Sequence, residues 1–301
     1  MPPTIRRREL LRGITAAGIL AANGNPAPDK GENYSIATEG TVRDRFWLFG
    51  VPTNSDFPHL KLRSTMSAAE GAYYLSIPNI IMVQAGGDEA KYGRFDPPLE
   101  QYTIALRPFK RILWSLTGSG GVTSPGERAQ VIELAKRTPN LVGVYMDDFF
   151  HDHGSSAALT LDELRTSRQQ LGALGRNPEI WVTFYTRQLD LPIADYLRLI
   201  DVATLWTSRP EDLANLESNL KRLKQLAPNS KAALGCYFVD YRTKSSVPVA
   251  AMKRQCEAGL KWLREGRIEA MVFLGNTVED LGFEAVEWTR EWIRNVGDTK
   301  L

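Results

Sequence analysis

The chain has 301 residues, 43% hydrophobic and 24% charged, with 37 basic against 35 acidic side chains and a net charge of +2. That balance belongs to an ordinary globular protein with ample material for a core, and it excludes a disordered or fibrous chain. It also leaves no global footprint for nucleic acid, because no dense basic run exists outside the N-terminus.

The N-terminus differs in kind. "TIRRRELLRGITAAGILAANGNPA" has a basic start, a short apolar stretch over 14–22, then small residues and prolines. This is the layout of an export signal and is too short to span a bilayer. Arg7-Arg8-Glu9-Leu10-Leu11-Arg12 resembles the bacterial twin-arginine signal, with Arg6 where the usual motif carries Ser or Thr. The expectation is a signal peptide and linker over 1–33 and one domain over 34–301. The mature product would be periplasmic or extracellular, with no membrane insertion once the signal is removed. A frayed amphipathic helix is the alternative for the same residues.

After the linker a strand-then-helix rhythm sets in. Short β-branched or aromatic runs recur at 46–50, 80–84, 111–116, 141–147, 180–185, 202–206, 232–239 and 270–274. Between them lie segments with helical apolar spacing, among them "SPGERAQVIELAKRT", "TLDELRTSRQQLGAL", "RPEDLANLESNLKRLKQLA", "PVAAMKRQCEAGLKWLREG" and "VEDLGFEAVEWTREWIRNV". Several open on Ser, Thr or Pro with an early acidic residue, as helix starts do. Weaker helical patterns fall around 67–76 and 191–199. Eight such units predict an α/β fold, a single closed (β/α)8 barrel of the TIM type. An open doubly wound sheet would show a glycine-rich phosphate turn after its first strand, and "FGVPTNSD" is not one. Cys236 and Cys256 match neither a metal spacing nor a disulfide framework and are expected as buried apolar side chains.

In such a barrel, chemistry collects where strands run out at their carboxyl ends. The first strand leads to Asn54, Asp56 and His59, and the second to Gln84 with Asp88 and Glu89 beyond. The third carries Trp114 and runs into "TGSGG"; the fourth ends in "GVYMDDFFHDHG". Tyr185 and Arg187 close the fifth, and Trp206, Arg209, Glu211 and Asp212 follow the sixth. The seventh brings Tyr237, Asp240, Tyr241 and Arg242, and the eighth Asn276. Alternation along the fourth strand turns Val142, Val144 and Met146 toward the helices and Gly143, Tyr145 and Asp147 into the barrel. Asp147 is then the carboxylate at the mouth, with Asp148 on the rim unless a bulge exchanges them.

Paired carboxylates fit glycosidic hydrolysis, in which one stabilises or traps the developing cation and the other protonates the leaving oxygen. Trp114, Tyr145, Tyr185, Trp206 and Tyr237 offer flat, partly polar rings for sugar faces, with Gln84 and Asn276 as hydroxyl partners. On "GVYMDDF" and the eightfold rhythm, the chain resembles bacterial glycoside-hydrolase-type barrels, over about 45–296. The resemblance implies that Asp147 is the nucleophile or charge stabiliser, since α-glycosidase-type barrels end their fourth strand in such an aspartate. The Asn-Glu pair of another large glycosidase group is absent there, and no glutamate ends the seventh strand. Asp240 is the first choice for the acid, with Glu211 and Glu89 as alternatives and Asp148 assisting.

Two other readings stay open. "HDHG" places His151 and His153 beside aspartates, so a metal-dependent hydrolase with a divalent ion is one alternative to a cofactor-free enzyme. A non-catalytic carbohydrate-binding barrel is the other. In each glycan reading the partner is an oligo- or polysaccharide.

Overall fold

The computed structural model describes residues 40–55, 60, 63–85, 93–152, 154 and 156–301. The expected signal over 1–33 lies outside the described residues, as do Asp56, His59, Asp88, Glu89 and His153.

Strands β1 (Phe46–Gly50), β2 (Asn79–Met82), β3 (Arg111–Thr117), β4 (Leu141–Met146), β5 (Glu179–Tyr185), β6 (Val202–Trp206) and β7 (Lys231–Cys236) are followed by a two-stranded hairpin, β8 (Val239–Asp240) with β9 (Ser245–Ser246). β10 (Ala270–Leu274) comes last and pairs in parallel with both β7 and β1, which closes an eight-stranded barrel. Helices α1 (Ala68–Leu75), α2 (Glu100–Leu106), α3 (Pro125–Arg137), α4 (Leu161–Gly172), α5 (Ala194–Leu197), α6 (Leu216–Leu226), α7 (Val249–Arg264) and α8 (Glu284–Val296) occupy the crossovers. The (β/α)8 barrel expected from the strand spacing is the fold observed.

Local chemistry explains where the helices begin. Ser67, Ser124 and Thr160 each accept a hydrogen bond from the backbone N–H of a glutamate three residues on, starting α1, α3 and α4. The periodic run from 278 does not become helix at once, because Val278–Leu281 is a turn and Gly282 takes a positive φ of 76° before α8 starts. Strand seven likewise stops at Cys236 instead of running to 239, since the chain turns into the β8–β9 hairpin.

Large rings fill the barrel interior. Trp47 of β1 and Trp181 of β5 meet across the axis with centroids 5.1 Å apart. Above them Phe49 packs edge-on against Tyr145 at 5.8 Å and Trp206 at 5.9 Å. These contacts establish Tyr145 as inward-facing, the facing expected from alternation along β4. Facing the helices instead, Phe46 packs on Trp292 of α8 and Trp114 on Phe95. Two glycines make the interior layer possible. A methyl group on Gly235 would overlap the Trp206 indole at 2.1 Å, and one on Gly143 would stand 2.2 Å from the Glu179 carbonyl oxygen. Among the described residues, no helix is long and apolar enough to cross a membrane.

Candidate active site at the carboxyl end of the barrel

Asp147 follows β4 directly, and the end of β3 holds its backbone. Its N–H donates to the Thr117 carbonyl at 3.0 Å, and the Thr117 hydroxyl donates to its carbonyl at 2.8 Å. The carboxyl is nearly enclosed, with 7% of the residue exposed. Thr183 of β5 donates its hydroxyl proton to Asp147 Oδ1 at 2.7 Å. That hydroxyl has one proton, so the 3.0 Å contact between Thr183 and Tyr145 is made with the phenol donating. Trp206 Nε1 donates to the same phenol at 3.3 Å, completing a chain from indole to phenol to hydroxyl to carboxyl. Burial first, and the negative charge of Asp148 second, push the Asp147 carboxyl well above the ordinary carboxylate range, against the Thr183 and Asp148 hydrogen bonds. Burial likewise pushes the Tyr145 phenol up, with the Asp147 charge adding to it.

Asp148 is half-buried and adopts a left-handed backbone with φ of 44°. Both of its oxygens are held: Oδ2 accepts the Gly120 N–H at 2.8 Å, and Oδ1 accepts the Tyr185 hydroxyl at 2.5 Å. This explains "TGSGG". A methyl group on Gly121 would stand 2.9 Å from the Asp148 carbonyl oxygen, so only glycine lets the loop after β3 pass so close.

A phenolic layer surrounds the pair. Tyr185, Tyr237 and Tyr241 interact through their hydroxyls, and burial raises all three phenols, with the charges of Asp147 and Asp148 adding to the effect. The Tyr237 ring lies 4.5 Å from Trp206 and 5.0 Å from the more exposed Tyr241. The Arg187 guanidinium covers Tyr185 at 4.0 Å while pairing with Asp152 at 2.7 Å.

The other expected site residues are held by partners of their own. Trp114 is not on the mouth: it faces outward into the helical layer, buried between Phe95 and Tyr102 of α2. Asp240 caps its own hairpin, accepting the Arg242 N–H at 2.9 Å and the Thr243 hydroxyl at 2.8 Å. Burial would raise its carboxyl, but these bonds and the nearby Arg242 outweigh that and hold it below the usual range. Glu211 pairs with Arg242 at 3.5 Å. Asn276 is fully engaged as a clamp, bonding the Val51 N–H and carbonyl and the Met66 carbonyl. Gln84 donates to Glu127 at 3.3 Å. His151 bonds Ser156 through both its backbone and its ring, 3.0 Å from the hydroxyl. Among the described residues, no group of three or more His, Cys, Asp or Glu gathers where a metal ion could sit.

Several participants carry little sequence signal. Thr183 is one alternating residue in a strand, and Gln188, which ties the β5 end to the Phe150 carbonyl at 2.9 Å, follows the strand without a motif. Glu279 is the most notable. It lies past the end of β10, is 2% exposed, and neither carboxyl oxygen has a hydrogen-bond partner. Burial, with Asp280 adding, pushes its carboxyl up to about 8. The nearby Gly71 of α1 leaves room for it, since a methyl group there would lie 2.5 Å from Glu279 Oε2. A separate hollow of about 370 Å3 opens at the opposite end of the barrel, where Arg45, Lys231 and Glu269 lead into strands. That end of the fold serves stability more often than chemistry.

No protein-family model matches the chain, and no curated protein matches it in sequence. Solved structures share the barrel. A candidate alpha-L-fucosidase from Bacteroides thetaiotaomicron superposes with a TM-score of 0.58 at 10% identity, covering 92% of this chain and all of that one. A xylanase and amylase inhibitor protein gives 0.52 at 11% identity, with 86% of this chain and 100% of that one covered. A thermostable chitinase domain from Pyrococcus furiosus gives 0.50 at 13%, over 78% of this chain and 85% of that one. At such identities the likeness establishes the barrel fold, and function must be argued from the site.

Proposed function

We propose that the chain is a carbohydrate-active hydrolase that cleaves glycosidic bonds with the Asp147–Asp148 pair. The observation that carries this reading is the unequal treatment of two adjacent carboxyls at the carboxyl end of β4. Asp147 is enclosed, and burial and its neighbour raise its carboxyl well above the ordinary range, while Asp148 has both oxygens oriented by Gly120 and Tyr185. An enclosed carboxyl with raised proton affinity, beside a second one held in place by two donors, suits a proton donor and its partner. Asp147 then serves as proton donor to the leaving oxygen instead of the nucleophile that its strand position suggests, and Asp148 stabilises the oxocarbenium-like charge. Tyr185, Tyr237 and Tyr241 supply ring faces and hydroxyls for a sugar. A candidate alpha-L-fucosidase and a chitinase among the similar solved barrels are compatible with this use of the fold.

The locked Asp240 favours a second reading, a barrel that binds glycans without cleaving them, because it removes the expected acid on the seventh strand. One of the similar barrels is itself an inhibitor protein.

A glycan panel assayed for new reducing ends separates the readings. Wild type should release product, and Asp147→Asn should lose at least about 100-fold of that rate while keeping its fold. Equal rates in the two proteins remove Asp147 from the mechanism. Binding with no product in wild type moves the assignment to the second reading. On the carboxylate scheme a chelator leaves the rate unchanged, whereas loss restored by zinc would shift the chemistry toward His151 and His153.

A further inference from the structure

The chain's two cysteines are twenty positions apart in sequence and meet in the layer between sheet and helices. Cys236 closes β7, two residues on from Leu234, so both side chains leave the same face of the strand. That face looks onto α7: a methyl group on Gly259 would stand 3.1 Å from Leu234 Cδ2. Cys256 lies one turn before Gly259 on α7, which brings it opposite Cys236. Both are free thiols with no exposure, and Cys236 is near enough to Cys256 to raise its thiol. The Thr289 hydroxyl of α8 and the Glu257 charge also act on Cys256.

We propose that Cys236 and Cys256 form a latent intramolecular disulfide site, which closes β7 onto α7 when the chain meets a disulfide-bearing oxidant. One cysteine, as thiolate, attacks the oxidant's disulfide and releases one small thiol. The second cysteine attacks the resulting mixed disulfide and releases the other. The protein loses two protons and two electrons, and the oxidant is reduced to two thiols. Burial and the neighbouring sulfur raise the Cys256 thiol, so closure needs a local opening or takes place while the chain folds. The position gives the bond a consequence. Cys236 immediately precedes Tyr237 and the β8–β9 hairpin that leads to Tyr241, so the bond would anchor the root of the phenolic layer beside Asp148. This inference rests on the packing of β7 against α7 and on the closeness of the two thiols, and it stands whether or not the barrel hydrolyses a glycan.

The test uses the full chain, incubated with oxidised glutathione and, in parallel, refolded from denaturant in a glutathione redox buffer. Each sample is quenched in acid, alkylated under denaturing conditions and mapped without reductant. The expected result is an intact mass lower by about 2 Da, no alkylated cysteine, and one cross-linked peptide pair joining Cys236 to Cys256. The oxidised protein should melt several degrees higher than its reduced form, and Cys256→Ala should abolish that difference. Two alkylated cysteines in both samples, stable glutathione adducts, or a disulfide-linked dimer in place of the internal bond would overturn the proposal.

Discussion

Asp147 shares the strand end with a second carboxylate and sees almost no water, so proton affinity at this residue depends on Asp148. The sign of that dependence is testable. If protonated Asp147 is the working acid, kcat/KM falls as pH rises through its folded pKa, and that alkaline limb lies well above the ordinary carboxylate value of about 3.9. Asp148→Asn removes the repelling charge, lowers the Asp147 pKa and moves the limb to more acid pH, alongside the rate it costs. An unmoved limb would mean that another group titrates. Glu279 gives a second residue-level prediction, this one on stability. Its carboxyl titrates near 8 in the folded protein against an ordinary 4.5. Between those two pH values the folded state keeps a proton that the unfolded chain has released. Stability therefore falls as pH rises from about 4.5 to 8 and levels off above, by at most about 5 kcal/mol for this group. Glu279→Gln should remove that part of the slope, so urea midpoints for variant and wild type should agree near pH 4.5 and separate at pH 9, with the variant higher.

At the level of elements, the β8–β9 hairpin decides what Asp240 does. Its two carboxyl oxygens close the turn through Arg242 and Thr243, and the hairpin pairs only Val239 with Ser246 and Asp240 with Ser245. Asp240→Ala should cost about 1–2 kcal/mol in a denaturation series and leave turnover unchanged, whereas a true acid would cost turnover first. The sequence alone pointed to Asp240 because it is the nearest carboxylate after strand seven. Nothing in "CYFVDYRTKSS" tells that the next residues fold back and consume it. The same limit applies to Trp114. Strand existence was legible from β-branched and aromatic runs, but which face a ring takes on β3 depends on its register with β4. That pairing shifts between Ile112 and Leu113 and again between Ser115 and Thr117. β4 was easier, since the break from Met146 to Asp147 marks both its end and its facing. Glu279 was hidden for a different reason: "VEDLGFEAVEW" continues a helical pattern into residues that turn before α8 begins.

The whole barrel was legible because each βα unit is a local pattern, and eight in a row admit few closures. What closure adds is contact between residues far apart in sequence, and no local pattern contains it. Trp47 and Trp181 belong to strands on opposite sides of the sheet and touch on the axis, both 1% exposed. The Phe49, Tyr145 and Trp206 layer lies nearer the carboxyl ends, and Asp147 is tied to it through Thr183. Trp181→Ala should therefore act on the molecule as a unit. It opens a void on the axis and removes the indole bond to Glu179, at a cost of about 3–5 kcal/mol. Because one core spans all eight strands, the urea midpoint should fall with the slope of the transition unchanged. Far-UV and near-UV signals should then move together. A shallower or two-step transition would show instead that part of the barrel unfolds separately. In that case the layer beneath Asp147 would not be supported from the opposite wall, and the enclosure that raises its carboxyl would have to come from β3, β4 and β5 alone.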